Sequence, residues 1–288
     1  MSRLALGTVQ FGLSYGIANQ QGKINSVSAT EILEYAYTHG IDTLDTAIAY
    51  GDSEQCLGSV GVKSWKVVSK LPKMPEKTPD ILNWVKQKVL GSLNRLRLPK
   101  LYGLLLHHPE QLLSIEGKYL YDALVLLKEE KLVDKIGISI YSFNELEFIL
   151  SQFDFDLFQC PFNILDRNLI DSKWLYRLKD LGSEVHVRSV FLQGLLLMNT
   201  QNRPSRFNRW QPLWEHWDEW LKSTNISALD ACLNYVSSYP EISKVVIGVD
   251  SLCQLREILN IRETNLQFPD CLSCNDLDLI YPSNWKKL

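Results

Sequence analysis

Four residues of this chain are of the types that move protons, and each follows a short apolar run. Asp45 and Tyr50 lie in "TLDTAIAYGDSE", Lys70 closes "KVVSK" and His107 closes "LYGLLLH". A free phenol has a pKa near 10 and is a poor acid at neutral pH, but a neighbouring ammonium favours the phenolate and lowers that value. Lys70 is the candidate ammonium, Asp45 the carboxylate that keeps it charged, and His107 an imidazole able to hold a substrate oxygen. Together they would protonate a carbonyl oxygen while something else delivers hydride to the carbon. Taken singly, each residue has a plainer role as a helix cap, a packed rim aromatic or a solvated strand end. His108 duplicates His107, and strand alternation lets only one of two neighbours face a given side. The conjunction at successive run ends is what argues for chemistry.

The elements that must position these residues are legible as repeats. Eight β-branched or apolar runs recur: "RLALGT", "IDTLDT", "KVVSK", "LYGLLLH", "DKIGIS", "FDLFQC", "EVHVRS" and "SKVVIG". Between them lie stretches with apolar residues at i, i+3, i+4 and i+7, such as "SATEILEYAYTHG", "PDILNWVKQKVLGSLNRL", "YLYDALVLLKEEK" and "SFNELEFILSQF", the pattern of helices packed on one face. A strand, a crossover helix and a further parallel strand need about the spacing these runs show. Eight units without a linker predict one (β/α)8 TIM barrel over residues 1–288. No G-x-G-x-x-G follows the first run, which argues against a doubly wound sheet. In a barrel the active site gathers where strands end, and the other run ends are also polar or small: Thr8, Ser139, Gln159, Arg188 with Ser189, and Gly248.

Composition narrows the partners. The 30 basic and 33 acidic residues leave a net charge of -3 without long runs of either sign, so no footprint for nucleic acid or an anionic membrane is visible. No apolar run approaches a membrane span, and "MSRLALGTVQFG" is too short in apolar residues for a signal peptide. A cytoplasmic protein acting on a small molecule is expected. The six cysteines are scattered, as reduced thiols are in a chain of this length. "CLSC" lacks the second ligand pair that a zinc site needs, so no metal site is expected.

At these residues the sequence resembles the aldo/keto reductase superfamily, as a short bacterial-type member. The matching stretches, in family order from about residue 3 to 260, are "LALGTVQFG", "GIDTLDTAIAYGDSE", "VVSK", "LLLHHPE", "IGIS", "FQCPFN", "VRSVFLQGLL" and "VVIGVDSLCQLREI". The resemblance implies that Asp45, Tyr50, Lys70 and His107 form a catalytic tetrad with Tyr50 as the general acid. It selects His107 over His108 because the family histidine stands two before a proline, here Pro109. It implies an NAD(P)(H)-dependent oxidoreductase that interconverts an aldehyde or ketone with an alcohol, and a cofactor lying extended across the barrel mouth. Gly7 and Thr8 match its first-strand contact, Ser139 and Gln159 the carboxamide contacts, and Arg188 a position that often holds an aromatic stacked on nicotinamide. Ser189, Gln193, Gly194 and Gly248 fall in further cofactor-lining stretches. Ile140 replaces an asparagine frequently paired with the serine. The opening also resembles relatives associated with sugar or surface-polysaccharide metabolism, which implies a carbohydrate-derived carbonyl. A second class with the same fold, the non-catalytic β subunits of potassium channels, holds cofactor as a redox sensor. All four tetrad residues are present here, which favours the enzyme.

The adenosine end divides the cofactor expectation. NADPH is the family habit, but the segment after the last run is "GVDSLCQLRE", where Asp250 would repel a 2′-phosphate, Gln254 is neutral and Arg256 is the nearby cation. Glu257 matches a position near the adenine, and Ile258 replaces an asparagine. NADH is therefore a serious alternative. An insertion near 194–226 and a C-terminal extension after about 262 are expected to surround the barrel. The insertion carries Arg203, Arg206 and Arg209, candidates for cofactor phosphates or a solvated loop, and Trp210, Trp214, Trp217 and Trp220 on one helical face. That face either packs against the barrel or forms an aromatic wall beside a sugar-like substrate.

Overall fold

Each apolar run becomes a strand. The computed structural model describes residues 3–264 and 266–288. Its strands are β1 (Leu4–Gly7), β2 (Thr43–Asp45), β3 (Lys66–Leu71), β4 (Leu101–Leu106), β5 (Val133–Ser139), β6 (Leu157–Pro161), β7 (Glu184–Arg188) and β8 (Lys244–Gly248). They pair in parallel in sequence order, and β8 returns to β1 through Leu4↔Val245 to Gly7↔Gly248, closing the barrel. Around it run α1 (Ser26–Thr38), α2 (Ser53–Val60), α3 (Ile81–Leu96), α4 (Gly117–Glu129), α5 (Leu146–Leu150), α6 (Asn168–Asp171), α7 (Trp174–Asp180), α8 (Gln211–Thr224), α9 (Ala228–Ser237), α10 (Leu252–Leu259) and α11 (Leu277–Ile280). This is the single (β/α)8 barrel that the periodicity predicts.

Local chemistry sets the helix starts. The side chains of Asn25, Asp80, Ser227 and Ser251 accept from backbone N–H groups at the heads of α1, α3, α9 and α10, satisfying donors that have no partner in the helix. The pattern "SFNELEFILSQF" yields less helix than its periodicity suggests, since α5 keeps only five residues. Ser142 Oγ accepts from the Asn144 N–H at 3.3 Å, a local bond of the kind that competes with a helical start.

The barrel interior is stacked in levels. Because alternate side chains point inward, Val68, Leu105 and Leu157 meet as an apolar cluster separate from the larger core between strands and helices. Gly137 makes that level fit. A Cβ there would lie 1.9 Å from the Leu157 carbonyl oxygen, so any larger residue would force β5 and β6 apart. Below this level, at the strands' N-terminal ends, charged groups pair with one another. Asp42 accepts from Lys66 at 3.0 Å and Lys244 at 2.6 Å, while Glu184 accepts from Lys135 at 2.6 Å and the Tyr102 hydroxyl at 2.7 Å. Burial alone would raise the Glu184 carboxyl, but His186, Lys135 and Tyr102 beside it hold it down at about 2.

Between β7 and α9 the chain runs through short 3-10 segments, Leu192–Leu197, Thr200–Asn202 and Ser205–Trp210, and then α8. Trp210, Trp214 and Trp217 are buried in the main core and Trp220 packs against it. Among the described residues no helix is long and apolar enough to cross a membrane.

Candidate active site

The C-terminal ends of the strands open into a cavity of about 660 Å3, within the ~300–1,000 Å3 typical of small-molecule sites. Asp45 ends β2 and Lys70 lies one residue before the end of β3, so parallel neighbours bring them together. Lys70 Nζ donates to Asp45 Oδ1 at 2.6 Å and to the Thr46 carbonyl at 2.9 Å, with the lysine side chain 1% exposed. Gln159 Nε2 donates to Asp45 Oδ2 at 2.6 Å, and Ser139 Oγ donates to Gln159 Oε1 at 3.3 Å. Burial pushes the Lys70 ammonium down, and Asp45 pulls it back up.

Tyr50 sits above this pair, its ring centroid 5.1 Å from Lys70 Nζ and 6.0 Å from the His107 ring, which meets it edge-on. Its loop is pinned from below. Ser53 N–H donates to the Tyr50 carbonyl at 3.0 Å and Ser53 Oγ to the Thr8 carbonyl at 2.8 Å. Gly12 permits this approach, since a Cβ on it would lie 1.8 Å from the Tyr50 carbonyl oxygen. The Tyr50 hydroxyl and the His107 ring make no hydrogen bond to the described residues, and both face the cavity. His108 turns away and meets Glu110 Oε1 at 2.9 Å through Nδ1. The strand register therefore puts His107, not His108, in the mouth.

The electrostatics correct one expectation. Lysine was expected to acidify the phenol, but burial, reinforced by the Asp45 charge, pushes Tyr50 well above the ordinary tyrosine value. Lys70 gives its charge to Asp45, so little field is left for Tyr50, and Arg188 is the cation that lowers it. Burial and nearby cations hold the His107 imidazole down at about 3. At neutral pH the mouth thus contains a protonated phenol and a neutral imidazole.

The structure brings most of the other sequence-predicted residues to the same cavity. Gly7, Thr8, Gln159, Arg188, Ser189, Gln193, Gly194, Gly248, Asp250, Gln254 and Glu257 all line it. Lys70 and Ser139 do not reach it, lying beneath Asp45 and behind Gln159. Arg188 Nη2 donates to the Ile140 carbonyl at 3.0 Å and Nη1 to Ser189 Oγ at 3.2 Å, while Cζ lies 4.2 Å from the Tyr141 ring centroid. The other arginines go elsewhere. Arg203 binds Asp218 at 2.5 Å, Arg209 binds Asp276 and Asp278 at 3.0 Å each, Arg206 lies over Phe207 and Arg256 over Tyr35. No tryptophan of the α8 face lines the cavity, so packing rather than a substrate wall accounts for that stripe.

Sequence reasoning missed Gln10, Tyr15, Asn19, Tyr141 and Phe191, all cavity-lining. The β1–α1 loop carries three of them and crosses the opening. Gln193 Nε2 donates to Tyr15 Oη at 3.1 Å, and Asn19 Nδ2 donates to Asp250 Oδ1 at 3.0 Å. Tyr141 had one usable signal, its place two residues beyond the end of β5.

The family model for the aldo/keto reductase family matches residues 3–277. The chain belongs to the aldo/keto reductase family. It is accordingly an NAD(P)H-dependent oxidoreductase acting on carbonyls and alcohols. Solved reductases share the fold at low identity. The holo form of aldo-keto reductase AKR11C1 from Bacillus halodurans is 20% identical over 92% of this chain and 89% of that one, with a TM-score of 0.71. Glycerol dehydrogenase AKR11B4 from Gluconobacter oxydans is 19% identical over 93% and 88%, with a TM-score of 0.70. No curated protein matches the chain significantly.

The cavity of this reductase fits a nicotinamide cofactor. Gln10 Oε1 is buried at its wall without a hydrogen-bond partner among the described residues, an orphan acceptor that a ligand donor would satisfy. Ser189, Leu192, Gln193 and Gly194 in the β7–α8 connection all have positive φ, and backbone strain of this kind gathers at ligand-holding loops.

Proposed function

We propose that this reductase converts an aldehyde or ketone to an alcohol with Tyr50 as proton donor, and that it discriminates only weakly between NADPH and NADH. The observation that carries the first part is the buried Asp45–Lys70 pair at 2.6 Å beneath a phenol whose hydroxyl has no partner among the described residues. When bound, the cofactor supplies hydride to the carbonyl carbon. The chain's own groups do the rest. His107, neutral, holds the carbonyl oxygen with a ring N–H, and Tyr50 gives its proton to the same oxygen as negative charge develops there. An alkoxide is a stronger base than a phenolate, so the transfer remains downhill despite the raised phenol. Asp45 and Gln159 keep Lys70 fixed beneath the ring, where its charge steadies the phenolate that forms.

Gly7, Thr8 and Gln159 would hold the nicotinamide end, and Gln254 with Glu257 the adenosine end. That far end offers the acids Asp250 and Glu257, while the one arginine or lysine among the described lining residues, Arg188, lies beside Tyr141. A 2′-phosphate normally depends on charge-assisted bonds from arginine or lysine, so its absence costs little here. The dissociation constants of NADH and NADPH should agree within about a hundredfold.

Substituting Tyr50 by Phe should lower carbonyl reduction by roughly 10²- to 10⁴-fold, the usual share of general acid catalysis, with cofactor affinity nearly intact. Steady-state rates and a cofactor titration of Tyr50→Phe check both. Unchanged turnover would remove Tyr50 from the role.

A further inference from the structure

The mouth contains one charge that the reaction described above does not use. Arg188 ends β7, points into the cavity and stacks on Tyr141. A guanidinium has five N–H donors; among the described residues, Nη1 and Nη2 of Arg188 each make one hydrogen bond, to Ser189 Oγ and the Ile140 carbonyl, and Nε makes none. No carboxylate among the described residues lies within ion-pair distance of it. Asp45 is committed to Lys70 and Gln159. Asp166, the other acid whose field it meets, is buried behind the mouth and bonds Asn168 instead. With His107 neutral and Lys70 balanced by Asp45, the tetrad end has one net positive charge. That charge is felt at Tyr50, His107 and Lys70 alike, so it stands close to where the carbonyl must sit.

A partly buried cation without a counter-ion attracts one. The contacts to Tyr141, Ile140 and Ser189 fix the plane of the guanidinium, which prepares its free edge to meet a two-oxygen anion. We propose that Arg188 selects carbonyl substrates that carry a carboxylate or phosphate a few bonds from the carbonyl carbon. The inference rests on the reading of Tyr50 and His107 as the pair that meets the carbonyl oxygen. The cofactor's own pyrophosphate is the other anion that could reach Arg188, and the test separates the two.

Two substrate pairs of matched length serve as probes, 4-oxobutanoate against butanal and glyceraldehyde 3-phosphate against glyceraldehyde. The unmodified enzyme should favour at least one charged member by about tenfold or more in kcat/KM, the scale of one charge-assisted bond. Arg188→Gln should bring that ratio close to one, and Arg188→Lys should retain part of it. The ratio cancels any effect common to both substrates, and a parallel NADH titration of each variant reads the cofactor separately. A ratio near one for both pairs in the unmodified enzyme overturns the inference. So does an Arg188→Gln variant that keeps the ratio, or one that loses NADH affinity in step with both substrates, which would assign the guanidinium to the cofactor. Failure of all four carbonyls with either cofactor would instead overturn the hydride-transfer reading. The subsite is then judged by calorimetric titration with 4-hydroxybutanoate: binding that is lost in Arg188→Gln supports it, and equal or absent binding in both proteins overturns it.

Discussion

The two ends of the barrel contain similar residues arranged to opposite effect. At the N-terminal end, Asp42 receives two lysines and Glu184 a lysine and a phenol. At the C-terminal end, Asp45 and Lys70 also pair, but the Tyr50 hydroxyl, the His107 ring, Gln10 Oε1 and part of the Arg188 fork are left over. Satisfied polar groups stabilise a fold, whereas groups left without a protein partner in a cavity are free to bond water or a ligand. Charge content alone would not tell the two ends apart, nor would a count of unused polar atoms, since both ring nitrogens of buried His186 beside Glu184 also lack hydrogen bonds to the described residues; what differs is that the leftover groups at the C-terminal end line a cavity.

The contrast can be tested by removing one lysine or acid from each end. Lys70→Met should lower turnover by roughly a hundredfold or more, as loss of an acid–base partner typically does, and steady-state kinetics with a soluble aldehyde measures it. Circular dichroism of the same protein reports whether the fold survives, since Asp45 is left buried with Gln159 alone. A Lys70→Met enzyme with normal turnover would make the two ends equivalent. His107→Ala should cost about tenfold or more in kcat/KM, while His108→Ala, whose ring bonds Glu110 away from the mouth, should stay near the parent value. The reverse ranking in folded proteins would shift the β4 register by one residue.

At the opposite end, Asp42→Asn should leave turnover unchanged and lower stability by about 1–2 kcal/mol, between the values for exposed and buried pairs. Its lysine partners and Thr43 hold the Asp42 carboxyl below its ordinary range, against burial. A depressed carboxyl contributes stability that is present above its unfolded value, near 4, and is lost as pH falls through the folded one. Urea unfolding should therefore show the Asp42→Asn deficit at pH 7 and a shrinking deficit as pH falls below about 4. Glu184→Gln should behave in the same way, with the loss running from about 4.5 down to about 2. A deficit independent of pH would mean that packing, not charge, holds this end together.

How much of this was readable in the residues follows from what repeats. The strands and the meeting of Asp45, Tyr50, Lys70 and His107 were legible because β-branched runs end at regular intervals, and the geometry of a barrel places run ends side by side. Tyr15 and Tyr141 were not, because loops carry no period and their reach depends on bonds such as Gln193 to Tyr15. The phenol's electrostatics were misjudged for a related reason. A sequence shows that a lysine is near, but not that Asp45 takes its charge at 2.6 Å or that Tyr50 is buried. Likewise Arg206, Arg209 and Arg256 were plausible phosphate ligands by position, yet the fold packs them over Phe207, Trp210 and Tyr35.

Gly137 touches no ligand, but a Cβ on it would overlap the Leu157 carbonyl at 1.9 Å, and Ser139 and Gln159 pair directly two residues higher on the same two strands. Any side chain at Gly137 would wedge β5 from β6 and carry Gln159 away from Asp45. Among descendants of this gene, selection would therefore hold Gly137 as firmly as Tyr50, for the shape of the floor rather than for its chemistry. Invariance at such a position would be inherited alongside catalysis without taking part in it.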